Sequence, residues 1–273
     1  MRLFICAKTA IEVIVMLPAL AGSITAFAEE QDRGIALILA ADYAEKRVEH
    51  TFKAAGPGGA DVVFDGEMSA AAVALTAAKG GFYISLNAEM PLREETTPIG
   101  ESLLFLERDD YALTLGYSVF ERISVFAGYK YGKTRITNVY TDVDLSGPTP
   151  RPYLGSSEFD LIEEGPFLGL AYNQPINEGN WLGVNVAYGF MDSEIVNHTL
   201  ATGGGNTGPA SGSGDTEGFS FGVRWSHAFS AATQVAVGYK MNTYDNEGAD
   251  ITGTGYKYES VYNYITLGLS HYF

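Results

Sequence analysis

The chain has 273 residues, and 17 Lys/Arg against 33 Asp/Glu give a formal net charge of −16. That balance argues against non-specific nucleic-acid binding, which needs clustered cations against phosphate. The single cysteine, Cys6, excludes a disulfide framework and a multi-cysteine metal site. With 46% hydrophobic residues, 32 glycines, 17 tyrosines and 15 phenylalanines, the composition does not suit disorder and fits a soluble β-rich domain or a membrane barrel.

The first segment reads as an export signal. Arg2 and Lys8 form a positive start, an apolar stretch runs from Ile11 to Leu20, and Ala26-Phe27-Ala28 has the small-x-small pattern of a cleavage site. Leu20-Ala21-Gly22 is followed by Ser23, so the cysteine required for a lipid anchor is missing. Residues 1–28 are therefore expected to be removed, leaving 29–273 as one domain. Removal takes away two cations and one acid, so 15 basic against 32 acidic residues give −17 and no cysteine.

After residue 28 no apolar run is long enough for a membrane helix, and the dominant period is two, the period of a strand. In Trp181 to Met191, Leu182, Val184, Val186, Tyr188 and Phe190 share one face, while Gly183, Asn185, Ala187 and Gly189 share the other. The same split recurs over 111–119, 219–226 and 235–242. Ten strands are predicted, at about 35–52, 70–78, 82–92, 111–120, 123–140, 158–176, 181–199, 216–229, 234–249 and 256–273. Ala70 to Ala78 is alanine-rich and could also be helical. Short turns are predicted at Lys79-Gly80-Gly81, Glu121-Arg122, Asn177–Asn180 and Ser230–Thr233. Longer acidic or Gly/Ser/Pro-rich connections are predicted at Lys53–Ser69, Arg93–Asp110, Thr141–Ser157 and Leu200–Gly214, with a shorter one at Asp250–Gly255. An even strand number with short turns at one end and long loops at the other fits a closed antiparallel transmembrane β-barrel, all-β, with short periplasmic turns and long extracellular loops.

The chain ends Tyr264-Ile265-Thr266-Leu267-Gly268-Leu269-Ser270-His271-Tyr272-Phe273. Phe273, preceded at alternate positions by Leu269, Leu267 and Ile265, resembles the insertion signal of Gram-negative outer-membrane β-barrel proteins. His271 stands where that family usually has an aromatic or apolar residue. The resemblance implies a cell outer-membrane location and, as partners, outer-membrane lipid and lipopolysaccharide, periplasmic chaperones and the barrel-assembly machinery. It assigns no subfamily.

If the apolar faces meet lipid, Glu89, Lys130, Arg224 and Lys240 point into the lumen, with Asn87, Asn185 and Asn242. Each of the four charges lies at a similar distance from its short turn, so a lumen charge network is expected. Glu89 is the one acid placed at that depth. It is expected to pair with one of the three cations, with Arg224 favoured for its planar fork.

Three functions follow from this layout. The leading one is a non-enzymatic surface barrel, structural, adhesive or receptor-like, with an extracellular ligand not specified by the sequence. The second is a narrow porin-like channel. The third is an enzyme at the outer rim, an omptin-like protease or a lipid A-modifying barrel. Omptins use acidic residues and an Asp/His pair. Here no Asp-x-His pair occurs, and Asn197 precedes His198. His50 and His198 are expected as exposed rim residues, and His227 as an interfacial one beside Trp225. No catalytic residue, metal ligand or cofactor is assigned, since the loop carboxylates have no EF-hand spacing.

Overall fold

The computed structural model describes residues 35–53, 61–93, 95–99, 102–144, 151–198 and 211–273, and the expected leader lies outside them. Eleven strands follow one another: β1 (Ala36–Phe52), β2 (Val62–Lys79), β3 (Phe82–Arg93), β4 (Glu95–Ile99), β5 (Ser102–Phe120), β6 (Ile123–Asp144), β7 (Arg151–Asn177), β8 (Asn180–Asn197), β9 (Gly212–Ala228), β10 (Thr233–Asp250) and β11 (Gly255–Tyr272). All pairings are antiparallel, and the described residues contain no helix.

Ten of the strands close into a ring. β1 lies between β2 and β11, from Ile38↔Tyr272 to Phe52↔Tyr258, and β3 pairs with β5 from Phe82↔Tyr117 to Glu89↔Asp110. Above that point Pro91, which has no N–H to donate, stands in β3. The short β4 takes over the edge of β5, from Glu95↔Leu106 to Ile99↔Ser102, so β3 and β4 form one stave. Closure leaves the ten-stranded ring without a free edge, the condition for crossing a bilayer without helices.

At the periplasmic end the predicted turns are present. Gly80 and Gly81 both have positive φ, 57° and 85°, which the tightest hairpins require and L side chains rarely adopt. At the other end the strands run further than the sequence pattern suggests. β2 starts at Val62, β5 at Ser102, β6 ends at Asp144 and β7 starts at Arg151, so much of the acidic sequence expected as loop is barrel wall. The alanine-rich stretch is a strand because its small side chains fill the narrow space between β1 and β3, where Ala70, Ala72 and Ala74 are fully buried.

The wall changes character along its length. From Val119 to Tyr111 the outward face of β5 is Val119, Tyr117, Leu115, Leu113 and Tyr111, all exposed. Those nine residues, at about 3.3 Å each and a tilt of about 40°, span about 23 Å, the height of a lipid belt. Asp109 and Glu107 come next. The same switch occurs from Tyr43 to Glu45 in β1, Phe190 to Asp192 in β8 and Phe219 to Glu217 in β9. Tyr43, Tyr111, Tyr188, Phe190 and Tyr239 ring the switch level, as expected of an aromatic girdle.

The interior runs the opposite way. Inside the outer half, Val48, Phe64, Met68, Leu104, Leu106, Ile136, Phe159, Leu161 and Ile195 form an apolar core. Phe52 stacks on Tyr258 at 5.1 Å and meets Phe64 and Phe159 edge-on at 5.7 and 5.9 Å. At the periplasmic end a second cluster, including Ile38, Tyr83, Phe126, Ala171 and Tyr272, fills the barrel. Glycines make the room: a Cβ on Gly116 would lie 2.1 Å from the Tyr83 ring, and one on Gly169 2.4 Å from Phe126. Side chains therefore fill the lumen above and below a polar middle.

Candidate functional site in the lumen

The polar middle is a layer of charges level with the outer aromatic girdle. β1 supplies Lys46, β3 Glu89, β5 Arg108 and Asp110, β6 Lys130, β7 Glu163 and β10 Lys240. Asp110 is the hub. Arg108 donates to it twice, from Nε at 2.8 Å and Nη2 at 2.9 Å, which is the fork geometry an arginine offers a carboxylate. Lys130 Nζ lies 3.0 Å from Asp110 Oδ1, and Lys46 Nζ lies 4.0 Å from Oδ2. Arg108 is fully buried, and its Nη1 also donates to Glu163 at 3.0 Å, Thr134 at 2.8 Å and the Tyr262 hydroxyl at 2.5 Å. Gly132 keeps this space open, since a Cβ there would lie 2.3 Å from Arg108 Nη2.

Tyrosines surround the cations. Arg108 sits 4.3 Å from the centre of the Tyr262 ring, Lys46 and Lys240 lie 5.0 and 5.1 Å from that of Tyr264, and Lys130 lies 5.0 Å from that of Tyr244. Lys130 also donates to the Tyr244 hydroxyl at 2.8 Å, and Asn242 to that of Tyr264 at 3.1 Å. Cation–ring attraction is strongest where water is excluded.

Glu89, Lys130, Arg224 and Lys240 all face inward, but they do not pair as expected. Glu89 pairs with Lys46, and its expected partner Arg224 lies in a lower layer. There Arg224 Nη1 donates to Asp42 Oδ1 at 2.9 Å, with both groups buried. Gly268 on β11 leaves the gap this pair needs. Glu89 is thus one of several lumen acids. The sequence reading missed Asp110 because it stood at the edge of a presumed loop. Asp42 and Lys46 are legible in the alternation of the first strand, whose inward face is Ile38, Ala40, Asp42, Ala44, Lys46 and Val48.

The histidines divide differently from expectation. His50 is not a rim residue: it is fully buried, its Nδ1 2.8 Å from Ser260 Oγ and its ring edge-on to Tyr262. The even parity that carries Lys46 into the lumen carries His50 there too. His198 is exposed at the outer end and lies 2.8 Å from Asp160, which also holds Lys133 at 2.7 Å and Arg135 at 3.1 Å. Lys133, Arg135 and Asp160 alternate with inward Thr134, Ile136, Phe159 and Leu161, so this group lies on the outside of the wall. His227 stacks on Trp225 near the periplasmic edge. Among the described residues no group of three or more His, Cys, Asp or Glu side chains could hold a metal ion.

Of the terminal residues, Ile265, Leu267, Leu269 and Phe273 are exposed on the lipid face. Their strand closes the ring against β1, and Phe273 N donates to Leu37 O at 2.9 Å. His271 meets Thr233 at 3.0 Å.

This is the fold of an outer-membrane β-barrel. Among solved structures the chain is similar to the outer membrane protease OmpT from Escherichia coli, with a TM-score of 0.61 and 14% identity over 89% of this chain and 97% of that one. It also matches the CymD monoaromatic hydrocarbon channel, at a TM-score of 0.40 and 13% identity over 96% of this chain and 95% of that one. The translocator domain of the autotransporter NalP from Neisseria meningitidis gives 0.43 and 12%, over 91% of this chain and 92% of that one. No family model and no curated protein matches the chain.

Proposed function

We propose that this protein is a non-enzymatic, non-conducting outer-membrane barrel that acts through its protruding wall, as a structural or receptor-like surface protein. In this reading a cleaved signal peptide exports it, the assembly machinery recognises its last strand, and lipopolysaccharide surrounds its outer girdle. The observation that carries the reading is the side-chain packing of the lumen towards both ends, above and below the charge layer. The apolar core of the outer half, the charge layer and the periplasmic cluster follow one another along the barrel. The part that reaches water is acidic, with Glu45, Glu67, Asp192, Glu194, Asp215, Glu217, Asp245 and Glu247 exposed. That surface suits a cationic partner.

The His198–Asp160 contact is the one feature that favours an enzyme. It lies outside the barrel, and two further cations hold its carboxylate, which leaves little basicity to lend a general base. Planar-bilayer recording of the refolded chain tests the main reading. The expected record has no unitary steps, and reproducible steps would replace it with the channel reading. Cleavage of a fluorogenic peptide library that His198→Ala abolishes would replace it with the enzyme reading.

A further inference from the structure

Beneath the charge layer the lumen is not filled. A cavity of about 120 Å³ lies between Phe126 and Phe167 below and Lys130, Lys240 and Tyr244 above. Its charged lining is two lysines, Lys130 and Lys240, and two carboxylates, Glu89 and Asp110. Four cations, Lys46, Arg108, Lys130 and Lys240, share this layer with three carboxylates, Glu89, Asp110 and Glu163, an excess of one positive charge. Lys240 carries the excess. Among the described residues it has no carboxylate within salt-bridge distance, and its ammonium lies over the Tyr264 ring. Asn185 and Ser220, on the adjacent β8 and β9, also line the cavity. Their side chains make no hydrogen bond among the described residues.

The layer therefore holds one positive charge more than it neutralises, and Lys240 faces the cavity with Asn185 and Ser220 beside it. A bound anion would balance that charge and bond to all three side chains. The remaining lining, Phe126, Phe167, Ala187 and Met191, is apolar and aromatic. We infer that this chamber is a binding site for a small monocarboxylate with a compact apolar body, its carboxylate on Lys240 with Asn185 and Ser220, and its apolar end over Phe126 and Phe167. Lys130 contributes less, because Asp110 and Tyr244 already occupy its ammonium. The inference goes beyond the surface-barrel reading and does not depend on it, because a chamber can be occupied whether or not the barrel conducts.

The test uses the full chain refolded in detergent, with 4-fluorobenzoate as probe, followed by ¹⁹F NMR in a chloride buffer of constant ionic strength. Saturable binding that unlabelled benzoate displaces is expected, with no binding of neutral fluorobenzene. Lys240→Met removes an uncompensated charge, so it folds, and it weakens the probe roughly tenfold or more, the worth of one charge-assisted hydrogen bond. Asn185→Leu, which leaves the charge layer untouched, is a second variant and also weakens it. Probe at about a hundred times its dissociation constant multiplies the folded-to-unfolded ratio about a hundredfold in the wild type and about tenfold or less in Lys240→Met, so the melting temperature rises more in the wild type. Equal binding of fluorobenzene would make the chamber an apolar void. Equal affinity in both variants would put the probe elsewhere. Absence of binding at millimolar probe would leave a hydrated chamber. Each of these outcomes overturns the inference.

Discussion

Asp110→Asn is the perturbation that the charge layer is least able to absorb. The aspartate receives two hydrogen bonds from Arg108 at 2.8 and 2.9 Å, an ion pair from Lys130 at 3.0 Å, and lies 4.0 Å from Lys46. Asparagine keeps the volume but removes the charge that these cations share, and its amide NH₂ faces donors. Arg108 is fully buried and keeps Glu163, whereas Lys130 keeps only the Tyr244 hydroxyl and ring. Breaking a buried pair from one side costs about 3–5 kcal/mol. For a chain of this size each kcal/mol moves the midpoint by about 2–4 °C, so the loss is about 6–20 °C. The assay is heat modifiability: the compact band of the refolded barrel is followed on a gel after incubation at rising temperature. Asp110→Leu combined with Lys130→Met should recover part of the loss, because Lys130 then no longer stands as an orphan charge and Arg108 keeps Glu163. A single variant melting within about a degree of wild type would refute the hub assignment.

Gly268→Val places side-chain atoms where Asp42 Oδ1 stands only 1.7 Å from the Cβ position, so it should break the Asp42–Arg224 pair and cost about 3–5 kcal/mol, read as lower yield and melting temperature. Leu115→Lys puts a charge at the middle of the lipid face of β5 and should cost about 2–4 kcal/mol, whereas Glu67→Lys on the outer wall should stay within about 0.5 kcal/mol; equal effects would mean that the belt is misplaced. At the outer tip Asp250 Oδ1 accepts from Thr252 N and Thr254 N, both at 2.8 Å, and from Thr252 Oγ1 at 2.6 Å. These bonds, the Thr252 hydroxyl first, hold its carboxyl below its ordinary value of 3.8. The turn they order should be fully formed above that value and loosen as pH falls through the lower, folded pKa. Amide chemical shifts of Thr252 and Thr254 should follow that titration, and an identical profile in Asp250→Ala would dissociate the turn from its carboxylate.

Most of the fold is legible in the alternation of residues. Leu182, Val184, Val186 and Tyr188 against Gly183, Asn185 and Ala187 give the strand and its two faces, and the alternation of short and long connections with the last strand gives the face that meets lipid. What stays hidden is the upper wall. There the outward residues are charged, as in Glu107 and Asp109, and the inward ones apolar, as in Leu104 and Leu106, so the segment looks like an acidic loop until it is seen to alternate in the reverse sense. Asp110 sits at that reversal, and so the residue that organises the lumen was read as the end of a connection. The pairing of Glu89 was equally beyond reach. Parity places a side chain inside, but which of five inward cations it meets depends on the stagger between strands, and Lys46 comes from a first strand whose inward face mixes Ile38, Ala40 and Val48 with its charges.

The reversal between Tyr43 and Glu45 also fixes how the molecule rides in its bilayer. A barrel with a uniformly greasy exterior could bob, sinking in a thick membrane and rising in a thin one. Here a downward slip of one residue pair, about 5 Å at this tilt, would submerge a ring of carboxylates, while an upward slip would expose the Leu and Ile belt to water. Thickness changes must therefore be met by the lipid and not by the protein. The stave ends act as a waterline: whatever contacts the acidic wall meets it at a constant height above the headgroups.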